Sequence, residues 1–204
     1  MNKQMRYENP VRLQELNPRG TLSRIGLQKD QVVCDIGAGS GIFTILAASM
    51  TGKTVFALEI DDELINVIKE KAKQEGLNNI QVMKVQDDRF DLESSSIDLV
   101  LLVTVLHEIS DKVAFLEEVK RILNDHGKIA VIEFHKCVTP MGPPLQVRLG
   151  QDELLDLFAK VGYQPLESFE LGANFNCSIL KFEKGMPTKP VIKTNKSIIS
   201  SLSH

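Results

Sequence analysis

Short apolar runs alternate with longer amphipathic stretches along most of this chain. Runs rich in Val, Ile, Leu and Phe over 32–36, 54–59, 80–84, 97–103 and 128–134 predict strands. Apolar positions at helical spacing predict helices over 42–50, 62–75, 111–123 and 151–161. Asp61 and Asp62 can cap the second of these helices, and Gly76 can end it. Asp111 can cap the third, whose Phe115, Leu116, Val119 and Leu123 share one face. Repeated strand–helix units argue for an α/β fold, with a parallel sheet covered by helices on both faces. After residue 162 the pattern changes. Tyr163 to Glu170 and Phe175 to Glu183 read as strands joined by Gly172-Ala173-Asn174, an antiparallel pair that can close the sheet.

The two ends depart from the alternation. Residues 1–31 are a polar lead-in punctuated by Pro10 and Pro18, with short helices expected over 11–16 and 20–25. The expected domain spans 1–183, with this lead-in as a strap across its surface. Residues 184–204, with Gly185, Pro187, Pro190 and many Ser, Lys and Asn, read as a polar tail.

Composition removes several function classes. The chain has 204 residues, 43% hydrophobic and 25% charged, which suits one α/β domain with a full core. The net charge is −3 and no dense Lys/Arg block occurs, so electrostatic binding of nucleic acid is not indicated. No apolar run reaches the ~20 residues that span a bilayer, and residues 1–7 lack the apolar core of a signal peptide. A cytoplasmic protein is expected. Cys34, Cys137 and Cys177 are widely spaced and form no Cys/His pattern, so neither a metal site nor a disulfide framework is expected. Cys34 and Cys177 fall in strands and read as core residues, and Cys137 as a loop thiol.

Candidate chemistry begins where the first strand ends. Asp35-Ile36-Gly37-Ala38-Gly39-Ser40-Gly41 leads directly into the first predicted helix. Strand, glycine turn and helix make a nucleotide pocket in α/β sheets: bare backbone lets a ligand approach, and the helix start offers free N–H groups. A dinucleotide fingerprint G-x-G-x-x-G needs its third glycine at position 42, where Ile42 stands. The next strand ends at Glu59, placed to accept hydrogen bonds from both hydroxyls of a ribose. A ligand-free βα turn with a solvated acid is the plain alternative.

Asp35-x-Gly37-x-Gly39-x-Gly41, followed by Glu59, resembles motif I of the class I S-adenosylmethionine-dependent methyltransferases. The segment Thr104-Val105-Leu106-His107-Glu108 and its following helix resemble the small ubiquinone/menaquinone-biosynthesis type. The resemblance covers about residues 20–183. It implies a Rossmann-like, doubly wound, seven-stranded sheet with a C-terminal antiparallel pair. It also implies S-adenosylmethionine as cofactor, S-adenosylhomocysteine as product, and methylation of a small-molecule acceptor. Asp35, Gly37, Ala38, Gly39, Gly41, Glu59 and Ile60 would then hold the cofactor, with Thr104 beside its methionine part. The adenine-facing acid of the family falls at Gln86, a departure from the pattern; a shift of one residue gives the role to Asp87. In such folds a lead-in can act as a lid, with Tyr7 and Arg12 as its candidates.

On the acceptor side, His107, Glu133, His135 and Cys137 lie at or past the carboxyl ends of the fourth and fifth strands. His107 or His135 is the candidate base, the alternative for each being a structural role. His107-Glu108 does not open an H-E-x-x-H metal motif, because Asp111 stands where the second histidine is needed. Arg148 is expected either to clamp an anionic substrate or to stand solvated before the next helix. Two other classes stay open: an NAD(P)-binding oxidoreductase, and a cofactor-binding module without catalysis.

Overall fold

The computed structural model describes residues 3–85 and 89–182. Three short helices open the chain, α1 (Lys3–Tyr7), α2 (Pro10–Leu16) and α3 (Pro18–Ile25). The alternating body follows: β1 (Val33–Ile36), α4 (Ile42–Met50), β2 (Val55–Glu59), α5 (Asp62–Gln74), β3 (Ile80–Lys84), β4 (Ile97–Val103), α6 (Lys112–Ile122) and β5 (Leu123–Phe134). Helix α7 (Gln151–Lys160) leads into β6 (Tyr163–Leu171) and β7 (Phe175–Phe182).

The strands form one seven-stranded sheet in the order β3-β2-β1-β4-β5-β7-β6. The first five are parallel, and β7 runs antiparallel between β5 and β6. From β1 the chain winds outward to β3, then returns to the other side of β1 to form β4 and β5. This reversal opens a crevice at the carboxyl ends of β1 and β4, where open α/β sheets bind ligands.

Side chains alternate across each strand, so the sheet feeds two cores. Val100, Leu102, Ile129 and Val131 pack beneath α6 and α7 with Leu116, Phe158 and Tyr163. Leu99, Leu101, Ala130 and Ile132 pack on the other face with Leu22, Phe43 and Ala47. The predicted caps are present: Asp61 Oδ1 accepts from Glu63 and Leu64 N–H, and Asp111 Oδ1 from Ala114 N–H. Cys34 and Cys177 are buried in the core, and Cys137 is exposed.

The larger differences from the sequence reading lie in the lead-in and at the junction of α6 with β5. The lead-in carries one more helix, α1, than its proline punctuation suggested. Strand β5 begins at Leu123 rather than 128, because Leu123 pairs with Ile97 before the register shifts to Leu99 and Lys128. Leu123 therefore starts a strand instead of ending a helix face, and Ile122 fills the last core position of α6. Gln86, Asp87, the expected strand end at Glu183 and the tail lie outside the described residues.

Candidate functional site

The glycine loop leaves β1 with Gly37, Gly39 and Gly41 at φ +70°, +57° and +78°. These are left-handed angles that a side chain tolerates poorly. A Cβ on Gly37 would lie 2.5 Å from Val105, beyond the end of β4, and one on Gly41 would lie 2.9 Å from Ile68 of α5. Both are thus also packing glycines. A Cβ on Gly39 would meet the Tyr7 ring at 3.3 Å, so α1 lies directly over the loop.

Glu59 is buried at the end of β2. Its Oε2 accepts the Gly39 N–H at 2.7 Å, and its Oε1 accepts the N–H groups of Ile60 (2.9 Å) and Asp61 (3.1 Å). The acid thus ties the glycine loop to the next strand. Ile60 contributes its backbone here, while its side chain is exposed. Asp35 is also buried and accepts the Thr44 hydroxyl at 2.6 Å. Burial pushes its carboxyl up to about 6; the Thr44 hydrogen bonds oppose that rise and the Glu59 charge adds to it. Thr44 was missed in sequence, although a polar residue in the otherwise apolar first turns of α4 was a visible signal.

The lead-in closes over these groups. Arg12 is buried, donates to Thr104 Oγ1 at 3.0 Å, and stacks over the rings of Phe175 and Phe134. Lys71 of α5 bridges Glu8 and the Ser40 carbonyl, each at 2.6 Å. Thr104 leaves β4 at φ +57°, an unusual angle for a β-branched residue, and is held there by its N–H bond to Ile132. Tyr7, Arg12, Asp35, Gly37, Ala38, Gly39 and Val103 line a cavity of only about 30 Å³. That is roughly one water molecule of space.

Past the carboxyl ends of β4 and β5 the two histidines have separate partners. His107 is nearly buried in the turn after β4, its Nδ1 2.8 Å from Glu133 Oε2 and its backbone N–H on Glu133 Oε1. With Nδ1 donating to the carboxylate, the neutral ring keeps its lone pair at Nε2. His135 pairs instead with Glu170 at 2.7 Å near the surface. Arg148 fits neither expectation. It is buried, and its guanidinium donates to the carbonyls of His135, Cys137, Met141 and Pro143 and to Thr139 Oγ1. It knots the loop after β5 and leaves no fork for a substrate. Among the described residues no cluster of His, Cys, Asp or Glu could hold a metal, and no helix is long and apolar enough to cross a membrane.

Residues 27–160 match the family model of the methyltransferase domain. The ubiquinone/menaquinone biosynthesis C-methyltransferase of Hydrogenovibrio crunogenus is 27% identical over 126 residues, covering 60% of this chain and 50% of that protein. The chain thus spans about half the length of the curated relatives it matches. A SAM dependent methyltransferase from Aquifex aeolicus superposes with TM-score 0.82 at 26% identity, over 87% of this chain and 96% of that one. The [4+2]-cyclase SpnF shares the fold alone, with TM-score 0.72 at 13% identity over 82% and 80% of the two chains.

Proposed function

The chain belongs to the methyltransferase-domain family, and from that premise we propose that it transfers a methyl group from S-adenosylmethionine to a small-molecule acceptor. The observation that carries the reading is the bond from Glu59, at the end of β2, to the glycine loop that leaves β1 beside the crevice between β1 and β4. The residues present suit the cofactor. Gly37, Ala38 and Gly39 offer bare backbone, Glu59 a ribose acceptor, and buried Asp35 a negative charge for a cationic ligand. Gln86 or Asp87 is assigned to adenine and Thr104 to the methionine end. A pocket for this ligand needs hundreds of Å³, so α1 and α2 act as a lid that shifts to admit it.

Bound there, the cofactor supplies an electrophilic methyl group and its own leaving group. The chain's residues hold the acceptor in line and exclude water. His107 Nε2 is the proton acceptor where the nucleophile arrives protonated, with Glu133 fixing the ring. His135, paired at the surface, is assigned a lesser part. The three free cysteines suit a reducing compartment, and we assign the cytoplasm.

That the cyclase shares this fold means the fold alone does not select methyl transfer. Calorimetry with S-adenosylmethionine, S-adenosylhomocysteine, NAD⁺ and NADP⁺ tests the cofactor, and labelled-methyl transfer into a metabolite extract tests the reaction. Binding of a dinucleotide in place of the sulfonium cofactor would overturn the reading. Cofactor binding without transfer would indicate the non-catalytic module.

A further inference from the structure

Strand β7 crosses the acceptor side with Asn176 directly opposite Glu133 on β5 and opposite Glu170 on β6. Residues directly opposite in an antiparallel pair share a face, with Cβ atoms roughly 5 Å apart. Asn176 therefore stands beside the carboxylate that holds His107. It is 5% exposed, and its Oδ1 is buried with no hydrogen-bond partner. Such an atom costs stability, and cores normally satisfy it or replace it with an apolar side chain. Glu133, whose oxygens accept from His107, cannot satisfy it either, because an ionised carboxylate has no proton to donate. Tyr163 also has a buried oxygen without a partner, but it pairs with Phe182 at the opposite end of β7, within the core under α7. Asn176 is at the carboxyl rim of β5, where the acceptor is placed.

We propose that Asn176 is a specificity-determining residue for the methyl acceptor, its amide oxygen accepting a hydrogen bond from a hydroxyl or N–H group of that molecule. The inference rests on the methyl-transfer reading of the same site. A row of three groups then faces the acceptor: the lone pair of His107 Nε2, the Glu133 carboxylate that orients it, and the amide of Asn176. Each accepts hydrogen bonds and none donates into the site through these atoms. The row selects molecules that carry a donor near the methylated atom. It rejects those without one, because Asn176 would then stay unpaired.

The test uses matched compounds that differ in one donor: phenol against anisole, hydroquinone against 1,4-dimethoxybenzene, aniline against N,N-dimethylaniline, and indole against N-methylindole. Calorimetry with S-adenosylhomocysteine comes first, and failure of the wild-type protein to bind it would defeat the underlying methyl-transfer reading rather than the role of Asn176. With that binding in place, thermal shift in the presence of S-adenosylhomocysteine and labelled-methyl transfer are measured across the pairs. The donor member of at least one pair is expected to be preferred. Asn176→Leu is expected to lose that preference, raising KM by about tenfold with little change in kcat. Its melting temperature should be equal or higher, and its affinity for S-adenosylhomocysteine unchanged. If leucine disturbs folding, Asn176→Ala makes the same comparison. Three results overturn the proposal: equal treatment of both members of every pair, no donor compound with a response sensitive to the leucine or alanine change, or a loss of stability and cofactor affinity that matches the loss of transfer.

Discussion

The Glu59 carboxylate crosses from the end of β2 to the glycine loop and accepts the Gly39 N–H at 2.7 Å. A carboxylate oxygen has two lone pairs, so this bond and a ribose hydroxyl can share it. On the proposed reading, the side chain that shapes the loop also binds the ribose. Glu59→Ala removes both, leaving the N–H groups of Gly39, Ile60 and Asp61 without their acceptor. It is expected to lower stability by about 1–3 kcal/mol and to weaken S-adenosylhomocysteine binding by about tenfold or more. Isothermal titration showing unchanged affinity would remove Glu59 from the cofactor site.

Gly39 lies in the glycine loop directly beneath the Tyr7 ring of α1. At φ +57°, with Tyr7 above it, any side chain is strained and displaces the ring. Gly39→Val is expected to fold and to lose cofactor binding. Combining the smaller Gly39→Ala with Tyr7→Ala separates two causes. If removal of the ring restores affinity, the glycine serves lid packing; if affinity stays low, the ligand itself needs the bare backbone.

Much of this was legible in sequence because it is periodic or local. The five parallel strands came from short apolar runs, and the Asp61 and Asp111 caps from polar residues at helix starts. Glycines at alternate positions marked the turn that carries the positive φ values. What stayed hidden depends on residues far apart in the chain. Arg148 has no local signal for its role, since its acceptors reach back to His135 and are gathered only when the loop folds. The start of β5 was displaced by a pairing with Ile97, which no property of Leu123 announces. Asn176 reads as one polar residue in a strand until β7 is set against Glu133.

The raised carboxyl of Asp35 gives a pH signature. Its folded value is about 6 against an ordinary 3.8, so the folded state holds this proton more tightly than the unfolded chain. The stability it contributes is fully present below about pH 4, falls as pH rises toward 6, and is lost above; two units correspond to about 3 kcal/mol. Asp35→Asn keeps an oxygen for the Thr44 hydroxyl and removes the ionisation. The variant is expected to exceed the wild-type protein by about 1–3 kcal/mol near pH 7.5 and to match it near pH 4. Urea denaturation at the two pH values checks this. Affinity for S-adenosylmethionine should fall in the same variant, since the sulfonium loses a nearby negative charge.

Arg148 is expected to act on stability rather than on substrate. Lysine cannot reproduce a planar fork that serves five acceptors, so even Arg148→Lys should cost about 3 kcal/mol or more. Binding of S-adenosylhomocysteine should be retained wherever the variant is folded. A folded variant with normal melting temperature and a raised KM for an anionic acceptor would restore the clamp.

The two histidines past the ends of β4 and β5 give the sharpest contrast. His107 and Glu133 are both buried, and the carboxylate takes the ring N–H and the backbone N–H of the same residue. With Nδ1 donating to Glu133 the ring's lone pair lies at Nε2, where the exposed Glu108 carboxylate stands 3.7 Å away, and a general base uses such a lone pair. His135 instead meets Glu170, which is two-thirds exposed, in a surface pair of small energetic value. With an acceptor that arrives protonated, His107→Ala is expected to reduce turnover by about a hundredfold, within the usual range for a lost general base, while S-adenosylhomocysteine affinity is retained. Glu133→Gln should reduce turnover less and shift the pH–rate profile, because the amide holds the ring without balancing its charge. His135→Ala should stay within about threefold of wild type, as a surface pair worth less than 1 kcal/mol implies. Equal turnover in the His107 and His135 variants would remove histidine base catalysis and leave positioning and desolvation as the source of rate.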